Sequence, residues 1–263
     1  LENEEVNECW ISDRDRFSYE ALNSDDRLTT PMIKQDGKWI EVDWQTALEY
    51  AANSLKRVAD EHGAAKIGML AAPYSTTEEL YLGAQLMRGL GGGSIDHRLR
   101  QTDFGLDGKL AGIPWLGMKV ADVSKLSAAL VVGSFLRKDH PLMAQRLRQA
   151  ARRGTRVSAL GVSNEDWLMT TFARVTVAPS ALAGELAALV KAAAEIRGVA
   201  VPAGAESAEV SDAARRIAQS LCDDGERAIF LGSVVQQHPD AAGLHALAQE
   251  LARLTGATLG YLG

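Results

Sequence analysis

AALVVGSFLRKDHPLMAQRLRQAARRGTRVSALG (128–161) decides the fold. Its first seven residues are an unbroken apolar run closed by Gly133 and Ser134. Such a run marks a strand covered on both faces, as in a parallel sheet, where an exposed strand would alternate polar and apolar residues. HPLMAQRLRQAARRG (140–154) reads as a helix, with Pro141 tolerated in the first turn because that turn's N–H groups have no partner anyway. TRVSALG (155–161) is the next strand. Together they predict one β-α-β unit with a right-handed crossover.

The same alternation continues outward. ARVTVAP (173–179) reads as a short strand, alanine-rich helices follow at about 180–196 and 207–222, RAIFLGS (227–233) is a strand, and Pro239 to Leu254 is a final helix. GVAVPAGAESAEVS (198–211) is the one linker-like stretch. Toward the N-terminus, Asp43 can cap a helix whose apolar positions (Trp44, Ala47, Leu48, Ala51, Leu55 and Val58 among them) share one face and which ends at Gly63. KIGMLAA (66–72) is a buried strand, and Thr76 with Glu79 forms a capping box that opens a helix running to RGLGGG (88–93). Residues 1–42 are turn chemistry with one strand candidate, KWIEV (38–42). Alternating strands and helices imply a parallel α/β architecture.

Composition narrows the function. Hydrophobic residues make up 46% of the 263, enough for a buried core. A net charge of −6 argues against a nucleic-acid partner, which calls for clustered cations. The run Arg146, Arg148, Arg152 and Arg153 reads as a solvated helix face. No apolar stretch approaches the ~20 residues that span a bilayer, so any membrane association is expected to be peripheral. The opening LENEEVNE lacks the features of a signal peptide and suggests a piece of a longer polypeptide. Cys9 and Cys222 are far apart and outside any CxxC, which suits a reducing compartment and gives no cysteine metal site.

The obvious chemical motifs are weak. GLGGGS (89–94) follows a helix, whereas a dinucleotide loop must follow a strand and open a helix, so a free NAD- or NADP-binding domain is a minor alternative. The better-placed crevice lies after AALVVGS, at a strand's carboxyl end, yet it offers only one glycine before Phe135 and Leu136. The strand TRVSALG ends at Gly161, where a ribose-binding carboxylate would be expected. The histidines 62, 97, 140, 238 and 245 have no metal-ligand spacing, and His140 and His238, each before a proline, read as loop structure. No G-x-S-x-G elbow is present.

Read together, NECWISDRDRFSYEALNSDDRLTTPMI (7–33), ALVVGSFLRKDHPLMAQRLR (129–148) and LARLTGATLGYLG (251–263) resemble the G subunit of NADH:quinone oxidoreductase, respiratory complex I. The C-terminal half of that family is similar to molybdopterin oxidoreductases such as formate dehydrogenase. The resemblance implies two Rossmann-like parallel-sheet domains of the formate dehydrogenase/DMSO reductase type. Residues 43–98 and 225–263 would share one sheet, 99–224 would be inserted, and 1–42 would be the tail of a small β-rich iron–sulfur-type domain. It also implies positions for cofactor ligands, and this sequence departs from four of them. A cluster cysteine is expected a few residues before RF-x-Y, where Ser12 stands and Cys9 is three residues too early. A pterin-binding Asn is expected in GSFLRKDHP, where Phe135 stands, and an Asp where Gly161 stands. The molybdenum ligand would lie near RLRQTDFGLDG (98–108), which offers none.

The resulting expectation is a cofactor-free stretch without catalytic or metal-binding residues, within an enzyme that oxidises NADH and reduces quinone. Its iron–sulfur clusters would lie upstream of Leu1. Its partners would be other subunits of the peripheral arm, on the cytoplasmic face of the bacterial inner membrane. Phe135, with Leu136 and Trp167 as neighbours, is expected to plug the empty crevice. An active molybdopterin enzyme of the formate dehydrogenase type is the alternative.

Overall fold

The structure, a computed structural model, describes residues 1–98 and 102–263. It divides into two compact units, Phe17–Gln101 and Leu1–Arg16 with Thr102–Gly263. Near the start, a bridged turn between Asn3 and Glu8 precedes the short helix α1 (Asp13–Phe17).

The smaller unit opens with an antiparallel hairpin, β1 (Met32–Gln35) and β2 (Lys38–Glu41). Asp36 and Gly37 make its two-residue turn, both at positive φ (48° and 79°), which is the twist a tight hairpin demands. The Asp43 carboxylate accepts the Thr46 N–H at 2.8 Å and starts α2 (Trp44–His62). The apolar face predicted for α2 is covered only in part: Trp44 is 70% exposed and Leu48 62%, while Ala47, Leu55 and Val58 are half-buried. That sheet pairs β3 (Gly68–Leu70) with β4 (Ser94–Asp96) across α3 (Thr77–Gly89). Both arms of the predicted Thr76–Glu79 capping box form. The glycines at 89–93 end α3 and feed β4, a strand too short and too close to the glycine run to stand out in the sequence.

The larger unit is built on β5 (Ala128–Val132), the fully buried strand of the apolar run. After β5 come α4 (Leu136–Asp139), α5 (Pro141–Arg152), β6 (Arg156–Gly161), β7 (Ala173–Thr176), α6 (Leu182–Arg197) and α7 (Asp212–Cys222). Then follow β8 (Arg227–Leu231), α8 (Ser233–Gln236), α9 (Ala241–Thr255) and β9 (Thr258–Tyr261). All five strands are parallel, in the order β7-β6-β5-β8-β9.

Successive side chains of β5 point to opposite faces. Ala128, Leu130 and Val132 join the core under α6, α7 and α9, while Ala129 and Val131 join the one under α5 with Leu147, Phe230 and Trp167. Both faces are dry, which is why the strand carries no polar residue.

One expectation is corrected by the pairing. The strands of 225–263 do not share a sheet with 43–98. β8 lies beside β5, with Leu130 opposite Ile229, and β9 lies beside β8. The reason is that the apolar edge of β5 opposite β6 is satisfied by the equally apolar RAIFL. The boundary drawn at residue 99 lies outside the described residues.

Candidate functional site

In an open parallel sheet, ligands bind at the carboxyl ends of the strands where the strand order reverses. Here that point lies between β5 and β8, since β6 and β7 extend the sheet on one side of β5 and β8 and β9 on the other. The two loops that leave it are packed onto each other. Gly133 has φ +62°, and a Cβ there would stand 2.8 Å from Val235 Cγ2 and 3.1 Å from its backbone nitrogen. A Cβ on Gly232 would meet Ser134 Cβ at 2.5 Å and the Gly133 carbonyl at 2.6 Å. Val234 N–H donates to the Gly133 carbonyl (2.9 Å), Gly232 N–H to that of Val132 (2.8 Å), and the Ser233 hydroxyl to Asp139 Oδ2 (3.2 Å). Glycine is needed at both positions for this mutual approach.

Beside the switch point, over the ends of β5, β6 and β7, a crevice runs between Ser134, Phe135, Gly161, Ser163, Trp167 and Arg174. Its free space is about 10 Å³, room for roughly one water. Trp167, 5% exposed and part of the core under α5, forms one wall, with the Arg174 guanidinium 4.6 Å from the ring centroid. Burial lowers the pKa of Arg174, and the nearby carboxylates of Asp166 and Glu165 oppose that shift. Ser134 Oγ and both Glu165 carboxylate oxygens are buried without a hydrogen bond, although Lys138 Nζ stands 3.5 Å from Glu165 Oε1.

Phe135 departs from the expectation. It is half-buried, whereas Leu136 is fully buried and Trp167 nearly so. The chain turns at Gly133 and Phe135 starts α4, so the side chain that points into the core under α5 is Leu136. Gly161 ends β6 with nothing within 4 Å of where a Cβ would stand, so its lack of a side chain is not forced by packing.

Ser12 has a structural task. Its hydroxyl donates to Asp15 Oδ2 (2.5 Å) and accepts the Asp15 N–H (3.1 Å), capping α1, and the residue is buried. Cys9 is exposed, and no cluster of three metal-ligating side chains occurs among the described residues. The part of RLRQTDFGLDG at 99–101 lies outside them. His238 braces its loop, with Nε2 3.1 Å from the Pro179 carbonyl and Nδ1 accepting the Asp240 N–H.

Three features escaped sequence reasoning. Arg146, read as part of a solvated face, is 5% exposed and holds the first residues of the chain. Its Nη2 donates to the carbonyls of Glu4 (2.9 Å) and Val6 (3.1 Å), and its Nη1 stands 3.4 Å from Glu8 Oε1. The signal was present: Met143, Leu147 and Ala150 lie three, one and four residues away, and all belong to the buried face of α5. The Arg174–Trp167 stack and the hydrogen bond between the Tyr261 hydroxyl and the buried His245 ring join residues with no local sequence relation.

Residues 27–260 match the model of the molybdopterin oxidoreductase family. The chain belongs to that family. It is 33% identical over 160 residues to the G subunit of NADH-quinone oxidoreductase from Rickettsia felis, an alignment covering 60% of this chain and 23% of that protein. It is 30% identical over 160 residues to the alpha subunit of the F420-dependent formate dehydrogenase 2 of Methanococcus maripaludis, covering 59% and 23%. The chain therefore spans about a quarter of the length of the curated relatives it matches. Acetylene hydratase from Pelobacter acetylenicus has the same fold, with a TM-score of 0.66 over 94% of this chain and 38% of that one at 15% identity. The parallel α/β architecture implied by the resemblance is thus the observed one. The family implies a molybdopterin cofactor, and the residues around the crevice do not fit it. A phosphorylated pterin needs an open cleft with convergent polar groups. Here the free space is about 10 Å³, Trp167 forms one wall, and the loops after β5 and β8 are packed onto each other.

Proposed function

We propose that this chain is a structural, pterin-free part of a G subunit of proton-pumping NADH:quinone oxidoreductase. On this reading it supports the cluster-bearing part of the subunit and carries no catalytic residue of its own. The observation that supports the reading is the narrowness of the crevice at the strand ends, about 10 Å³ of free space with the buried Trp167 as one wall. Two further residues agree with it. Ser12, at the position of a cluster cysteine, spends its hydroxyl on a helix cap, and Gly161 offers no carboxylate. Its partners would be the neighbouring subunits of the complex, at the cytoplasmic face of the inner membrane. No helix among the described residues is long and apolar enough to cross a membrane, which is compatible with a peripheral position. The iron–sulfur clusters of the full subunit would be held by its other segments.

A second reading, an active molybdopterin oxidoreductase of the formate dehydrogenase type, draws on the relative from Methanococcus maripaludis. Metal analysis of the full-length protein separates the two. Molybdenum far below one atom per chain is expected, and a stoichiometric amount would reverse the assignment.

A further inference from the structure

Helix α5 already binds one acidic segment. LENEEVNE carries four glutamates in its eight residues, and Arg146 holds it through two backbone carbonyls and the Glu8 carboxylate. Gln149, on the next turn, lies 3.5 Å from the other oxygen of that carboxylate. The same helix presents two further cations, Arg148 and Arg152, and these are unmatched. Among the described residues, neither guanidinium makes a hydrogen bond or an ion pair. Four residues apart on a helix, they stand about 6 Å from each other on one face.

These two arginines line a groove of about 370 Å³ whose far wall is the loop of Asp166, Leu168 and Met169. That wall is unusual. Leu168 is 53% exposed and sits at φ +54°, a left-handed conformation that strains a residue carrying a side chain. The Asp166 carboxylate holds it there by accepting the Leu168 N–H at 2.8 Å. An apolar side chain is thus displayed on strained backbone beside two free guanidiniums. Such strain persists where the surroundings enforce it, and it clusters at binding sites. Asp166 is the one carboxylate of the groove, and it is engaged by that N–H and by the field of Arg174.

We propose that this groove is a docking site for an extended acidic segment of a partner polypeptide. Residues 1–8 show that this helix accepts an acidic segment, there as a bridged turn held chiefly through backbone carbonyls. In an extended chain, residues i and i+2 lie about 6.6 Å apart on one side, which matches the arginine spacing. Two carboxylates at that interval would pair with Arg148 and Arg152. An apolar residue from the opposite side would cover Leu168 and Met169. The inference rests on α5 and the 166–170 loop alone and stands whichever way the molybdenum analysis falls.

The test is direct. A fluorescein-labelled peptide of alternating glutamate and leucine is titrated into the chain at 50 mM salt and followed by anisotropy. Saturable binding is expected. Two exposed charge pairs together account for roughly a two- to thirtyfold change in affinity, so Arg148→Glu/Arg152→Glu, which adds repulsion to their loss, should weaken binding by about tenfold. Arg148→Gln/Arg152→Gln, which keeps bulk and loses charge, should weaken it at least about twofold. Lys56→Glu/Arg57→Glu, an exposed pair on α2, should leave it unchanged. Circular dichroism confirms that each variant is folded. Absence of saturable binding overturns the proposal, and so does equal loss in the α2 variant. Displacement of the peptide by inorganic pyrophosphate at lower concentration would make the groove a small-anion site and overturn it as well.

Discussion

Trp167→Ala should be among the most damaging single truncations in this chain, and its comparison with Phe135→Ala tests how the crevice is closed. At 5% exposure, Trp167 buries an apolar area of about 200 Å². At ~25 cal/mol per Å² that is roughly 5 kcal/mol as an upper bound, and measured aromatic truncations in cores cost about 3–5 kcal/mol. The contact with the half-buried Arg174 guanidinium adds about 0.5–1 kcal/mol, lost in the same substitution. We therefore expect a loss of about 4 kcal/mol. For a chain of this size, each kcal/mol lowers the melting midpoint by about 2–4 °C, giving a fall of roughly 8–16 °C. Phe135 is reached by water already, so its truncation leaves no sealed cavity and should cost about 1–2 kcal/mol. The assay is a pair of thermal melts read by circular dichroism, with urea midpoints as a second measure. A Phe135→Ala shift equal to or larger than that of Trp167→Ala would refute the reasoning. It would mean that Phe135, not Trp167, seals the crevice.

Ser12→Ala removes a helix cap and should cost about 1 kcal/mol in a urea melt, while Ser12→Cys in the full-length protein should add no iron signal by paramagnetic resonance. Arg146→Ala leaves the carbonyls of Glu4 and Val6 and the Glu8 carboxylate without their donor, so hydrogen exchange at residues 1–8 should rise at least tenfold, with α9 unaffected; unchanged exchange would show that the arginine does not hold the segment. Burial lowers the pKa of His245 below 6.5, so the unfolded chain takes up a proton that the folded chain resists. Stability should then fall as pH drops through 6.5 toward the folded value, and melts between pH 7.5 and 5 should show a shallower slope in His245→Gln. Burial shifts His140 in the same direction, so some slope should remain in that variant.

The elements that could be read directly were those whose environment is written into adjacent residues. β5 is apolar at every position because helices cover both its faces, and a continuous run records that fact locally. Asp43, Thr76 and Pro141 mark helix starts through bonds to residues three places on or through a missing N–H, again local. Strand β9 was missed because TLGY contains a glycine and begins two residues after Gly256, the glycine that ends α9. The partnership of β8 with β5 was misjudged for a different reason. RAIFL would suit any dry sheet position, and nothing within it names its neighbour. Arg146 was misread because its charge was weighed before its position among Met143, Leu147 and Ala150. At the site, Ser12, Phe135 and Gly161 were legible as departures from the residues that the resemblance implies. Their surroundings were not, since Trp167 comes to the crevice from a loop and the Ser12 cap belongs to a helix, DRDRF, too short and polar to show a period.

The interlock of Gly133 and Gly232 carries an evolutionary consequence. Each glycine leaves the room that the other's loop occupies, so a side chain acquired at 133 strikes Val235 and one acquired at 232 strikes Ser134. Neither loop can drift by single steps while its counterpart stays fixed, and the first change in either is penalised before the second can compensate. Their histories are therefore tied by epistasis, and in descendants of this chain the two turns should be retained together or remodelled together, as one inherited character.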